Sequence, residues 1–490
     1  MDRELVIGLD LGTTSVKAVL FNLIGEVIQE EEEMITSHYP KPGWVEQDPD
    51  EIERAAVLAL KNVLISANVL PKELLTIGIS CAMHSLICVD EKSKAISPMI
   101  IWADGRASEQ AEKLRRTDQH IYARTGTPLH PMTPLSKLLW MRENNYEAYL
   151  NATYFMSMKE YMLEKWFRKR VVDYSMASAT GMLNLEKLDW DEEVLTLAGI
   201  KKDQLSAIVP PTEVLTNMNS SVRNRIGLTE DVPFVVGAAD GQLANLGSGA
   251  ISPGEVAISA GTSGAIRQFV KGTPVDQNQE SFTYAFTDEL SIIGGPTNNG
   301  GIALQWLKDL LEFEGSHEAF LEGAEKMAPG AEGILFHPYV NGERAPLWNQ
   351  KAKGNFFGLS MIHKRPHIVR AVLEGITFNM YQIGKTLETL AGKPRKISLN
   401  GGLTRSPLWV QILADVFGQD VYISDTHHNA AWGAAWTALV GIQKVESFEE
   451  IKQNLPNEQV IKPNMTNHKL YEKIYAKYVA VGKDLTKYFE

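Results

Sequence analysis

The chain has 490 residues, a net charge of −12, and 44% hydrophobic against 22% charged residues. That length exceeds one hydrophobic core and the balance is that of a soluble globular protein, so two domains of about 200–250 residues are expected. The acidic balance argues against nucleic acid as a partner. With no apolar run of roughly 18 residues and no signal-peptide pattern, a cytoplasmic chain without a membrane partner is expected.

Residues 5–21 read as strand, glycine turn, strand: an apolar run ends in Asp10, the turn is Gly12-Thr13-Thr14, and a second run begins at Val16. Such a turn suits phosphates. Glycine lets backbone approach an anion, threonine hydroxyls add donors, and Asp10 is a hard oxygen ligand for a Mg2+ ion bridging to phosphate. A further strand follows Gly25, and Glu30 to Glu33 mark an exposed edge. Asp48-Pro49 opens a helix over 50–69, and Thr76 to Val89 is another strand-like run carrying Cys81 and Cys88, the only cysteines and expected to be reduced thiols. Alternating strands and helices indicate an α/β fold.

A glycine- and alanine-rich passage ending at Ser252-Pro253-Gly254 marks a boundary between residues 1–250 and 251–490. Just beyond it, Val256 to Ile266 repeats the opening pattern around Gly261-Thr262-Ser263. Two phosphate-type turns, one opening each half, suggest a duplicated architecture with a nucleotide between the halves. Ile397 to Thr404 is a strand entering a diglycine loop, and Ser406 to Phe417 a helix with Pro407 in its first turn. From Lys462 onward the chain is polar and helical in pattern.

Gly384-Lys385-Thr386 resembles the tail of a P-loop, but Asn379 occupies the first glycine's place and the segment reads as helix interior. His363 and His367 are separated by Pro366, which argues against zinc, and the adjacent His427 and His428 cannot share one side of a regular element. A general base for an acceptor hydroxyl is sought instead at Asp240, in the run Val235 to Gln242 beside Gly241. Met83-His84 and Trp102-Ala103-Asp104-Gly105-Arg106 offer a sugar-holding set, with carboxylate accepting, guanidinium donating and indole covering C–H faces. The plainer alternative is a surface ion pair beside a buried tryptophan.

These residues resemble the FGGY carbohydrate kinases, whose members include glycerol, xylulose, ribulose and gluconate kinases. Asp10 to Lys17 is similar to the family's first phosphate motif and Gly43 to Pro49 to its next block. Met132 to Asn144 fits the first family signature, Gly354 to Glu374 the second, and Asn400 to Trp409 the adenosine-side loop. Ser80 to Ser85, Trp102 to Arg106, Arg124 to Pro131 and Val171 to Ala179 look most similar to the gluconate-phosphorylating branch. Thr426-His427-His428-Asn429-Ala430 departs from the glutamate-containing stretch of many relatives.

The resemblance implies two actin-like (ribonuclease H-like) ATPase domains closing on ATP and sugar. It implies Asp240 as base and Asp10 as the Mg2+-associated carboxylate. Gly12, Thr13, Thr14 and Lys17, with Gly261 and Thr262, would meet the phosphates. Gly300, Gly301, Gly402 and Ser406 would lie nearer the adenosine. The acceptor would meet Met83, His84, Trp102, Asp104, Arg106, Asp240 and Gln242. The activity implied is ATP-dependent phosphorylation of D-gluconate to 6-phospho-D-gluconate. The acceptor's carboxylate would be met by cations drawn from Arg106, His84, Arg124 and His130. Xylulose phosphorylation is the alternative within the family, and an actin-like ATPase scaffold the alternative outside it. Homodimers are common among such kinases, although no interface stripe stands out in the sequence.

Overall fold

The opening turn forms where the sequence places it. In the computed structural model, which describes residues 3–424, 428–455 and 458–489, strands β1 (Leu5–Leu11) and β2 (Ser15–Asn22) pair antiparallel around Gly12 to Thr14. Alternation ends there because Gly12 donates its N–H to the Ser15 carbonyl at 3.1 Å, closing the turn. The edge strand β3 (Val27–Met34) carries the four glutamates. Helix α1 (Pro49–Ser66) begins at Asp48, whose side chain accepts the Asp50 N–H.

The first sheet has the order β5-β6-β4-β1-β2-β3, where β4 is Leu74–Cys81, β5 Val214–Leu215 and β6 Phe234–Ala239. The expected run from Thr76 to Val89 is therefore interrupted. β4 stops at Cys81, a separate strand spans Ile87–Val89, and His84 between them has φ +67°. The break turns Met83 and His84 off the sheet's end. Both cysteines are free and buried, and desolvation pushes their thiols up to about 12.

The second sheet repeats the theme: β9-β10-β8-β7-β11-β12-β13, with β7 Glu255–Ala260, β8 Gly264–Lys271, β9 Phe282–Ala285, β10 Leu290–Thr297, β11 Lys396–Asn400, β12 Val421–Ser424 and β13 Glu458–Ile461. Each sheet draws its strands from one half of the chain. Gly384 to Thr386 lie inside the long helix Arg365–Ala391, as expected. Of the stretch that departs from relatives, Thr426 and His427 lie outside the described residues.

One helix joins the halves. Asn429–Gly441, which follows β12 in sequence, lies on β1, on β4 and against helix Asp240–Gly247 of the first half. Glycines make that approach close enough to touch backbone. A β-carbon on Gly8 would stand 1.9 Å from the Ala431 carbonyl oxygen, and one on Gly78 1.9 Å from that of Ala434. Gly433 and Gly247 repeat the device against Leu243 and Asn429. No side chain fits without moving the helix, so overpacking applies. Gly78→Ala is expected to lower unfolding free energy by about 3 kcal/mol, read as a lower urea midpoint.

Candidate active site

Between the two sheets lies a cleft of about 310 Å³, lined from the first half by Gly12, Thr13, Met83, His84, Trp102 and Asp240, and from the second by residues including Ser263, Ala265 and Arg267. The two phosphate-type turns thus open onto one cavity. Asp10 is the penultimate residue of β1 and lies opposite Lys17 in the β1–β2 register. Its Oδ1 accepts the Ser80 hydroxyl at 2.7 Å, and burial raises its pKa. Lys17 reaches Glu32 at 3.4 Å on the edge strand.

The second turn is assembled by glycine contacts. Gly301 donates its N–H to the Gly261 carbonyl at 2.7 Å and Ile302 to that of Thr262 at 3.1 Å, tying the turn to the start of helix Gly301–Leu310. A β-carbon on Gly300 would lie 2.7 Å from the Ser263 carbonyl oxygen, and one on Gly401 2.8 Å from that of Ala260. Nothing stands within 4 Å of where a Gly261 β-carbon would be, so the floor there is bare backbone. Gly402 abuts Ala260 and Gly261, while the Ser406 hydroxyl caps helix Pro407–Phe417 by accepting the Trp409 N–H at 3.3 Å.

Asp240 is the first residue of helix Asp240–Gly247, directly after β6, and accepts the Gly241 N–H at 2.8 Å. A β-bulge at Gly237 positions it: the β6–β4 register shifts between Val235 and Ala238, and Gly237 takes φ +67°. Burial pushes Asp240 up to about 6; Asp10 adds to the rise, whereas Arg267 and Arg344 oppose it.

Four of the expected acceptor contacts line the cleft: Met83, His84, Trp102 and Asp240. His84 is held by its Nδ1 contact to the Ala179 carbonyl at 2.7 Å, and burial drives its pKa down to about 3, so it enters as a neutral ring. The other expected residues stand outside this lining. Asp104 and Arg106 form a buried pair away from the cleft lining, with Arg106 Nη2 also on Glu46 at 2.7 Å and its guanidinium 3.8 Å from the Trp44 ring. Asp104 further accepts the Val45 N–H, so the pair braces loops together. Gln242 is buried outside the cleft lining. Arg124 is taken by Asp191 and Glu193 near the surface, and buried His130 packs against Trp348 beside a different cavity.

Two arginines missed in sequence stand in the cleft, Arg267 on β8 and Arg344. Arg344 donates Nε to Asn298 Oδ1 at 2.8 Å and lies 5.1 Å from the Trp102 ring. The available signal for Arg267 was a charge in the middle of the strand Gly264–Lys271, whose other charge, Lys271, stands at its end.

The whole chain matches known proteins. The model of the FGGY family of carbohydrate kinases, N-terminal domain, matches residues 5–247, and that of its C-terminal domain residues 256–442. The chain therefore belongs to the FGGY family of carbohydrate kinases, enzymes that use ATP, and its fold is their two-domain, actin-like one. It is 41% identical over 461 residues to a gluconokinase of Bacillus subtilis, covering 91% of this chain and 89% of that protein. A gluconate kinase structure from Lactobacillus acidophilus superposes with TM-score 0.95 at 32% identity, covering 99% of this chain and 98% of the other. A ligand-bound xylulose kinase structure from the same organism gives TM-score 0.96, also at 32% identity with 99% and 98% covered.

The raised pKa of Asp240 has a consequence for stability. Between pH about 4 and 6 the folded chain keeps a proton the unfolded chain releases, so this group's contribution to stability falls as pH rises through that window. Asp240→Asn is therefore expected to stabilise the fold at pH 7.5 by up to about 3 kcal/mol and to flatten the loss between pH 4 and 6, measured by urea unfolding.

Proposed function

We propose that this enzyme transfers the terminal phosphoryl group of ATP to the terminal hydroxyl of D-gluconate, giving 6-phospho-D-gluconate and ADP. The observation that carries the acid acceptor is the pair of guanidiniums, Arg267 and Arg344, facing the cleft beside Asp240. In a chain of net charge −12, local cations of this kind are what an anionic acceptor requires. The gluconokinase similarity points the same way, and the xylulose kinase similarity keeps a neutral ketose as the competing acceptor. We take the division near residue 250 as the boundary of the two closing domains.

The open backbone at Gly261, packed from behind by Gly300, Gly301 and Gly402, fits a phosphate-bearing ligand, because nothing stands where its β-carbon would be. Asp10 fits a Mg2+ ion arriving with phosphates: one buried carboxylate, with no denser group of three or more ligating side chains among the described residues. Mg2+ there would supply charge neutralisation on the phosphates. Thr13 and Thr14, with Lys17 on the neighbouring strand, offer donors on the first side, and Thr262 does so on the second. Asp240 accepts the acceptor's hydroxyl proton and orients its oxygen for in-line attack, as phosphoryl transfer requires alignment and charge compensation. His84 and Trp102 position the carbon chain. Closure of the two halves excludes water and limits ATP hydrolysis.

A coupled ADP-release assay with gluconate, D-xylulose, L-ribulose and glycerol tests the acceptor. Gluconate is expected to give the highest kcat/KM, and preference for a neutral ketose would overturn the assignment. Because Asp240 must be ionised to accept a proton, kcat/KM is expected to fall tenfold per unit below pH about 6. Asp240→Asn is expected to lower kcat about 10³-fold, and near-wild-type turnover would remove Asp240 from this role.

A further inference from the structure

We infer that Arg267 is the residue that reads the acceptor's carboxylate, and so sets the preference for a sugar acid over a neutral sugar of the same length. This rests on the sugar-acid reading above.

Among the described residues the guanidinium makes no hydrogen bond or ion pair, and Asp240 attracts it only from beyond ion-pair distance. Its Nε is buried without a hydrogen-bond partner, and no carboxylate among the described residues lies within ion-pair distance. Arg344 differs, since Asn298 and the Thr297 carbonyl already engage it. Buried charges are normally paired, because leaving one unpaired costs the solvation it gave up. An unpaired guanidinium on a cleft wall is therefore a place prepared for an anion from outside.

The slot holding it is built for the purpose. Arg267 lies opposite Gly294 in the β8–β10 register. A β-carbon on Gly294 would come within 3.0 Å of Arg267 Cγ, and one on Gly241 within 2.9 Å of its Nε. Two glycines thus let the side chain lie across the first turn of the helix that begins with Asp240.

Its position also separates it from the phosphates. Ala265 and Arg267 both line the cleft, alternate residues on one face of the strand. At about 3.3 Å per residue, Arg267 is roughly 13 Å along the strand from Ser263 in the phosphate-type turn. It stands at the acceptor's side of Asp240, where the end of the acid remote from the reacting hydroxyl can reach it. A planar fork suits a carboxylate bidentately.

The test compares gluconate with D-glucitol, which replaces the carboxylate by a neutral alcohol, in wild type, Arg267→Met, Arg267→Gln and Arg267→Lys. The gluconate-to-glucitol ratio of kcat/KM is expected to fall about 10²–10³-fold in the Met and Gln variants, mainly through the KM for gluconate, whereas any change in Asp240 basicity acts on both acceptors alike. Arg267→Lys is expected to recover part of the loss, since it keeps charge without the fork. Calorimetric gluconate binding reads the same loss without turnover, and retained ADP binding shows that the second domain is intact. An equal loss of kcat for both acceptors would overturn the inference and assign Arg267 to the phosphoryl group, and an unchanged gluconate-to-glucitol ratio would also overturn it. If Arg267→Met does not fold, the Gln and Lys variants decide by that ratio. A wild type that prefers D-xylulose would overturn the substrate reading instead, a result the variants' ratio cannot produce.

Discussion

Backbone-to-backbone contact between helix Asn429–Gly441 and the first sheet is the constraint on which the rest depends. The helix comes late in the chain yet rests on β1 and β4, the strands that carry Asp10 and lead to Met83 and His84. At Gly8 and Gly78 its carbonyls stand where side chains would be. The same helix meets Asp240–Gly247, so three elements carrying or adjoining the site share one packing core. A displacement anywhere in this contact moves the first phosphate turn and Asp240 together. That coupling suits a cleft that closes, because the groups of the first half travel as one piece.

The site concentrates charge where water is scarce. Asp10 and Asp240 repel each other, and both are raised by burial. Two guanidiniums temper Asp240 without forming an ion pair with it. A carboxylate left near 6 stays mostly ionised at neutral pH yet is more basic than a solvated aspartate, which is the compromise a proton acceptor needs. Arg106 and Asp104 show the contrasting use of the same residue types. There each charge is matched, the guanidinium sits between indoles, and the pair holds loops. Whether a buried arginine is paired separates the two uses.

Much of this was legible in sequence because turns carry local signatures. Gly12 to Thr14 and Gly261 to Ser263 were visible as interruptions of apolar strands, and both form as turns at the cleft. Asp240 was visible as a carboxylate after a run of small residues, although its place is a helix start rather than a strand end. What sequence could not show was partnership. Asp104 and Arg106 stand two residues apart in an inviting cluster, yet their partners Glu46 and Val45 come from about 60 residues away.

Arg267 escaped notice for the opposite reason. It stands in the middle of a strand, with no neighbouring motif to mark it, and its meaning comes from Gly241 and Gly294 on two other elements. Phosphate recognition relies on backbone geometry, which nearby glycines and threonines specify, so the motif is contiguous. Acceptor recognition relies on side chains converging from separate strands, so its signal is scattered along the chain. A family that keeps one donor and varies its acceptor can hold the contiguous part and change the scattered part. The near-equal likeness of this fold to a gluconate kinase and a xylulose kinase is in keeping with that division, since overall superposition weighs the scaffold and hardly registers single side chains.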